Sequence, residues 1–87
     1  MNLSQLLNIF RKQGVPDHFY SIGGLGSGEC YGIEKANEKW VIYYSERGVK
    51  KVLSIYSSED AACQELFRHV ARIMEDELNK ELTLSSE

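Results

Sequence analysis

Residues 40–56 constrain this chain more than any other stretch. Trp40-Val41-Ile42-Tyr43-Tyr44 places aromatic and β-branched residues at five consecutive positions, and Ser45-Glu46 completes the run. Such a run fits a pleated strand better than a helix. Arg47-Gly48 breaks it, and Val49 to Tyr56 reads as the next strand. Upstream, residues 29–35, ECYGIEK, alternate as a strand, and Ala36-Asn37-Glu38-Lys39 reads as a turn. Phe19 to Ile22 reads as a short strand before them. Connections this short join antiparallel neighbours, so the pattern predicts a three- or four-stranded antiparallel meander. Lys50 and Lys51 suit an exposed or edge position in it.

A helix is predicted on either side. Leu3, Leu6, Leu7 and Phe10 recur at helical spacing. Asn2 can cap that helix, with Gln5 closing a capping box. Gly14-Val15-Pro16 reads as its stop. The second helix opens at Ser57-Ser58-Glu59-Asp60, where a serine caps and acids meet the helix dipole. Cys63, Leu66, Phe67, Val70, Ile73, Met74 and Leu78 form one apolar stripe along it. The expected fold is therefore α+β, a two-layer sandwich with an N-terminal helix, the meander, and a C-terminal helix on one sheet face. Trp40, Ile42 and Tyr44 share one face of their strand, expected to meet the helices. Tyr43 belongs to the other, expected to be open.

With 87 residues there is room for one domain, residues 1–87, with a tail frayed from about residue 82. No apolar run approaches the ~20 residues of a membrane span. The start, MNLSQLLNIFRKQG, has no basic n-region, long apolar stretch or small-residue cleavage site. No export signal is expected, and the cytoplasm is the expected location. Cys30 and Cys63 read as small buried thiols, since two cysteines make no disulfide framework.

The formal net charge is −3. Residues 1–56 carry a balance of +2 and residues 57–87 a balance of −5. An acidic chain lacks the basic footprint of a general nucleic-acid binder.

Catalytic chemistry finds little purchase. The run Gly23-Gly24-Leu25-Gly26-Ser27-Gly28 lacks the Lys-Ser/Thr of a phosphate loop and leads into a strand, so it reads as a flexible connection. His69 stands four residues after Glu65, but one such pair is short of a zinc ligand set. His18, beside Asp17, reads as a loop histidine. Cys30 lies mid-strand and Cys63 mid-helix, away from the cationic settings that activate thiols. Glu75-Asp76-Glu77 lie on the polar side of the second helix. No catalytic residue, cofactor or metal is expected, and the chain is not read as an enzyme.

The aromatics Tyr31, Trp40, Tyr43, Tyr44 and Tyr56 all fall on predicted strands. With Arg47, Lys50 and Lys51 they allow an alternative reading, a small regulatory nucleic-acid-binding domain that stacks bases on its sheet.

A different reading comes from the middle of the chain. Cys30-Tyr31-Gly32-Ile33-Glu34-Lys35 is followed by Lys39-Trp40-Val41-Ile42-Tyr43-Tyr44-Ser45-Glu46-Arg47-Gly48. Leu53, Tyr56 and Ser58-Glu59-Asp60-Ala61-Ala62-Cys63 come next. This pattern resembles a family of small bacterial immunity proteins that accompany polymorphic toxins, including those of contact-dependent growth inhibition. The Tyr-Tyr-Ser-Glu-Arg-Gly stretch is its specific part. The resemblance implies a monomer that binds a cognate toxin domain one-to-one in the cytoplasm and blocks its active site or substrate path. It implies a nuclease as the toxin, and neither nucleic acid nor membrane as a partner.

Three surfaces are candidates for that contact. One is the open sheet face around Glu34 and Tyr43, where an aromatic beside an acid suits a binding hot spot. The second is the Glu46-Arg47-Gly48 turn, which presents opposite charges at a hairpin end. The third is the acidic side of the second helix, with Glu65, Glu75 and Asp76.

Overall fold

The computed structural model describes residues 1–23 and 29–84. Helix α1 spans Leu3–Lys12, and a 3₁₀ turn covers Asp17–Phe19. Strands β1 (Tyr20–Ile22), β2 (Cys30–Ala36), β3 (Lys39–Glu46) and β4 (Val49–Tyr56) follow, and helix α2 spans Glu59–Leu78. The sheet has the order β1-β2-β3-β4. The architecture is the expected α+β arrangement of one sheet with helices on one side.

The helix ends form as their residues dictate. The Asn2 side chain accepts from the Gln5 N–H at 2.8 Å, and the Gln5 side chain accepts from the Asn2 N–H at 2.9 Å. That capping box satisfies two backbone donors that the helix itself leaves unpaired. Gly14 turns the chain with φ +74°, and the Val15 N–H returns to the Phe10 carbonyl at 2.9 Å. Ser58 caps α2 by accepting from Ala61 at 3.3 Å. Asn79, left-handed at φ 54°, ends it.

Two tight turns set the register of the meander. Asn37 and Glu38 join β2 to β3 at φ 50° and 65°, and Arg47 and Gly48 join β3 to β4 at φ 50° and 79°. Two consecutive left-handed residues match the twist of an antiparallel hairpin. Cys30 thus pairs with Ser45, Gly32 with Tyr43 and Glu34 with Val41. On the far side, Ile42 pairs with Ser54 but Tyr43 pairs with Val52. Leu53 is therefore an extra residue, a β-bulge in β4.

The core lies between sheet and helices. Leu6 and Phe10 of α1, Ile33 and Ile42 of the sheet, and Leu66, Val70 and Met74 of α2 are all fully buried there. Each such side chain stabilises the fold by roughly 1.5–3 kcal/mol. Trp40 and Tyr56 pack against this cluster, and Tyr44 contacts Tyr31, which stacks on His69 of α2. The Trp40 face of β3 meets the helical layer, as its alternation predicts. Leu78, at the end of the predicted stripe, is 46% exposed.

Three expectations are corrected. The sheet is mixed, because β1 pairs with β2 in parallel, Tyr20 opposite Tyr31. A strand of three residues is only about 10 Å long, too short for its own pattern to fix the direction of its pairing. The tail is packed at residues 82–84. Leu82 is buried in the core, and Gln13 and Thr83 exchange two hydrogen bonds of 2.7 and 3.0 Å. Tyr43 is fully buried, although it lies on the sheet face away from the helices. The glycine run beyond Gly23 lies outside the described residues.

Candidate protein-docking face

The helices cover one face of the sheet. The other face is built from β2 residues Gly32 and Glu34, β3 residues Val41 and Tyr43, and β4 residues Lys50, Val52 and Ile55. It divides into a closed end and an open end.

Tyr43 closes the first end. Its cross-strand partner Gly32 has no side chain, and the Tyr43 ring occupies the space where a Cβ would stand. The phenol contacts the Ser21 hydroxyl at 3.2 Å. The Lys50 ammonium lies 4.6 Å from the ring centroid and pairs with the Glu34 carboxylate at 2.6 Å. The Glu34 hydrogen bond holds the Lys50 amine above the usual lysine range. Glu34 and Tyr43 are brought together, but through Lys50, and Tyr43 is a structural residue with no surface to offer a partner.

The open end is apolar. Val52 is 54% and Ile55 62% exposed, with half-buried Val41 between them and Glu34. Leu53, the bulged residue, is 40% exposed. Exposed apolar side chains grouped beside a charged pair are the usual composition of a protein contact. Strand alternation alone does not find this group, because the bulge at Leu53 breaks the period of two between Val52 and Ile55.

The remaining candidates fall elsewhere. Glu46 and Arg47 are exposed at the tip of the β3–β4 hairpin, with Arg47 held at φ 50°. Glu75 and Asp76 are exposed on α2. Glu65 is corrected. It is a buried residue of α2 that faces the sheet. Its carboxylate accepts from Tyr56 at 2.5 Å and Ser54 at 3.0 Å, and meets His69 Nε2 at 3.2 Å. Burial pushes the Glu65 carboxyl up, but the hydrogen bonds from Tyr56, Ser54 and His69 outweigh it and hold the group below its ordinary value. The carboxylate pins β4 to α2.

Cys30 and Cys63 are buried free thiols. Burial pushes Cys63 up to about 11 and raises Cys30. No cluster of three metal-ligating side chains occurs among the described residues. A hollow of about 500 Å³ between the helices is lined by Met1, Gln5, Asn8, Ile9, Gln64 and Leu84, whose side chains include no acid or base. No described helix is long and apolar enough to cross a membrane.

No protein-family model matches the chain, and no curated protein or solved structure matches it.

Proposed function

We propose that this chain is an immunity protein, a cytoplasmic binder that neutralises a toxin domain by covering its active site or substrate path. The observation that carries the reading is the uncovered end of the sheet, where Val52 and Ile55 stand 54% and 62% exposed beside the Glu34–Lys50 pair. An apolar centre with charged neighbours gives a partner something to desolvate and something to orient against. Glu46 and Arg47, exposed at the hairpin tip beyond the Tyr43 end, are a second, separate surface for such a contact. The resemblance of the Tyr43-Tyr44-Ser45-Glu46-Arg47-Gly48 stretch to immunity proteins supports the same reading. So does the net charge of −3, because a nuclease groove is basic and acidic partners reach it faster.

The base-stacking alternative finds no support on the uncovered face. Tyr31, Trp40 and Tyr56 pack towards the helices, and Tyr43 is buried. The test is co-expression of the tagged protein with candidate nuclease toxin domains of polymorphic toxin systems. A stable complex with the toxin inactive supports the reading. Failure of a folded sample to retain the toxin, with steeply salt-dependent RNA or DNA binding instead, favours the alternative.

A further inference from the structure

Strand β4 is the last strand of the sheet, so among the described residues one side of its eight residues has no strand neighbour. Proteins protect such an edge with lysines, bulges or charge, or they pair it. Lys50 and Lys51 look like protection in the sequence. The structure removes Lys50 from that role, because its ammonium folds inward onto Glu34 and the Tyr43 ring. What stays on the edge is one exposed lysine, Lys51, among apolar side chains, with Val49 65%, Val52 54%, Leu53 40% and Ile55 62% exposed.

We propose that β4 pairs antiparallel with β4 of a second copy, joining two sheets into one of eight strands. The bulge and the full length of the strand together select the register. Ser54 and Tyr56 face the helices, as their bonds to Glu65 establish, and Lys51, opposite Tyr44, shares that face. Lys50, Val52 and Ile55 face the other way. Faces match across a two-fold axis only when paired residues carry side chains on the same side. Centring the axis between Val52 and Leu53 sets Lys50 opposite Ile55 and Lys51 opposite Ser54, and uses all eight residues. Moving the register by one residue sets Lys51 against Ile55, on opposite faces.

The charges also fit. Lys51 makes no ion pair among the described residues. In this register it arrives beside Ser54, whose hydroxyl lies 3.0 Å from the Glu65 carboxylate. That carboxylate has three partners, and a carboxylate offers about four lone-pair sites. Lys51 of one copy can thus complete Glu65 of the other, twice in the dimer. The lysines sit across from an apolar and a hydroxyl residue, not from each other. The pairing runs along the strand edge beside Val52 and Ile55, and its failure leaves the proposed toxin contact on the sheet face untouched.

The experiment is sedimentation equilibrium of the full chain. The expected mass is twice the 9.9 kDa of one chain; a monomer up to the solubility limit overturns the proposal. Variants at Ile55 and Lys50 test the register. Ile55→Lys, set against Lys50 of the other copy, should give a folded monomer, whereas Ile55→Glu should stay dimeric. Lys50→Cys with Ile55→Cys should form an interchain disulfide, since directly opposite Cβ atoms lie about 4.5–5.5 Å apart. A dimer unchanged by Ile55→Lys, or one in which Lys50→Cys alone crosslinks equally fast, overturns this register.

Discussion

The ring of Tyr43 stands in the space that a side chain at Gly32 would fill. The two residues are cross-strand partners in β2 and β3, and each explains the other. The glycine is required by close approach, not by its backbone angle. The tyrosine is buried on a face that no helix covers because its neighbour leaves room for it to lie down.

Gly32→Ala should therefore destabilise the fold by about 1–3 kcal/mol, the usual cost of overpacking. The same change made in a Tyr43→Ala background should cost clearly less, because the obstructing ring is gone. Urea unfolding of the four proteins of this cycle checks it. Equal costs in both backgrounds would mean that the ring and the glycine are not coupled.

Glu65 makes stability depend on acid. Its folded pKa lies below the unfolded value, so the unfolded chain binds the proton more readily. The contribution is complete above the ordinary carboxylate value of 4.5 and is lost as pH falls through the lowered folded pKa. Glu65→Gln should cost about 1–3 kcal/mol at neutral pH, as for a buried hydrogen bond to a charged group. It should also flatten the acid limb of a stability–pH curve measured by urea unfolding. An unchanged acid limb would remove Glu65 as its source.

Fold and site were legible in the sequence to different depths. The caps of α1 and α2, the left-handed Gly14 and Gly48, and the bounds of β4 follow from local chemistry, and local chemistry is what a sequence displays. The parallel pairing of β1 is a tertiary choice between strands of similar composition. At the site, Glu34 was findable as an acid on the uncovered face, but its partner was not. Lys50 reads as a strand-edge cation until the register shows it reaching across to β2. Glu65 and His69 announce themselves by their spacing of four, yet the bonds from Ser54 and Tyr56 need the packing of β4 on α2. The exposed Val52 and Ile55 are hidden by the bulge, which shifts the alternation at Leu53.

Arg47 is a non-glycine residue held at φ 50° in a two-residue hairpin turn. Asparagine suits that position better. Arg47→Asn should raise stability by about 0.5–1 kcal/mol, and should change the rate of association with the toxin if the tip lies in the contact, as loss of an interface charge does. Thermal unfolding and stopped-flow association read the two effects separately. A variant that gains stability with an unchanged association rate would place the hairpin tip outside the interface.

The two thiols should be silent in the native protein. Both are buried, and Cys63 is pushed up to about 11. Reaction with a thiol-specific disulfide reagent at pH 8 should be slow and should track unfolding, since only the exposed thiolate reacts quickly. Prompt reaction of either cysteine under native conditions would show that its cover opens easily.

The most direct test of toxin neutralisation is a titration of the toxin domain's activity with this protein. The account predicts that activity falls linearly and is abolished near one chain per toxin domain, with Val52→Asp shifting the curve to higher ratios while remaining folded. Full toxin activity in the presence of excess folded wild-type protein would contradict it.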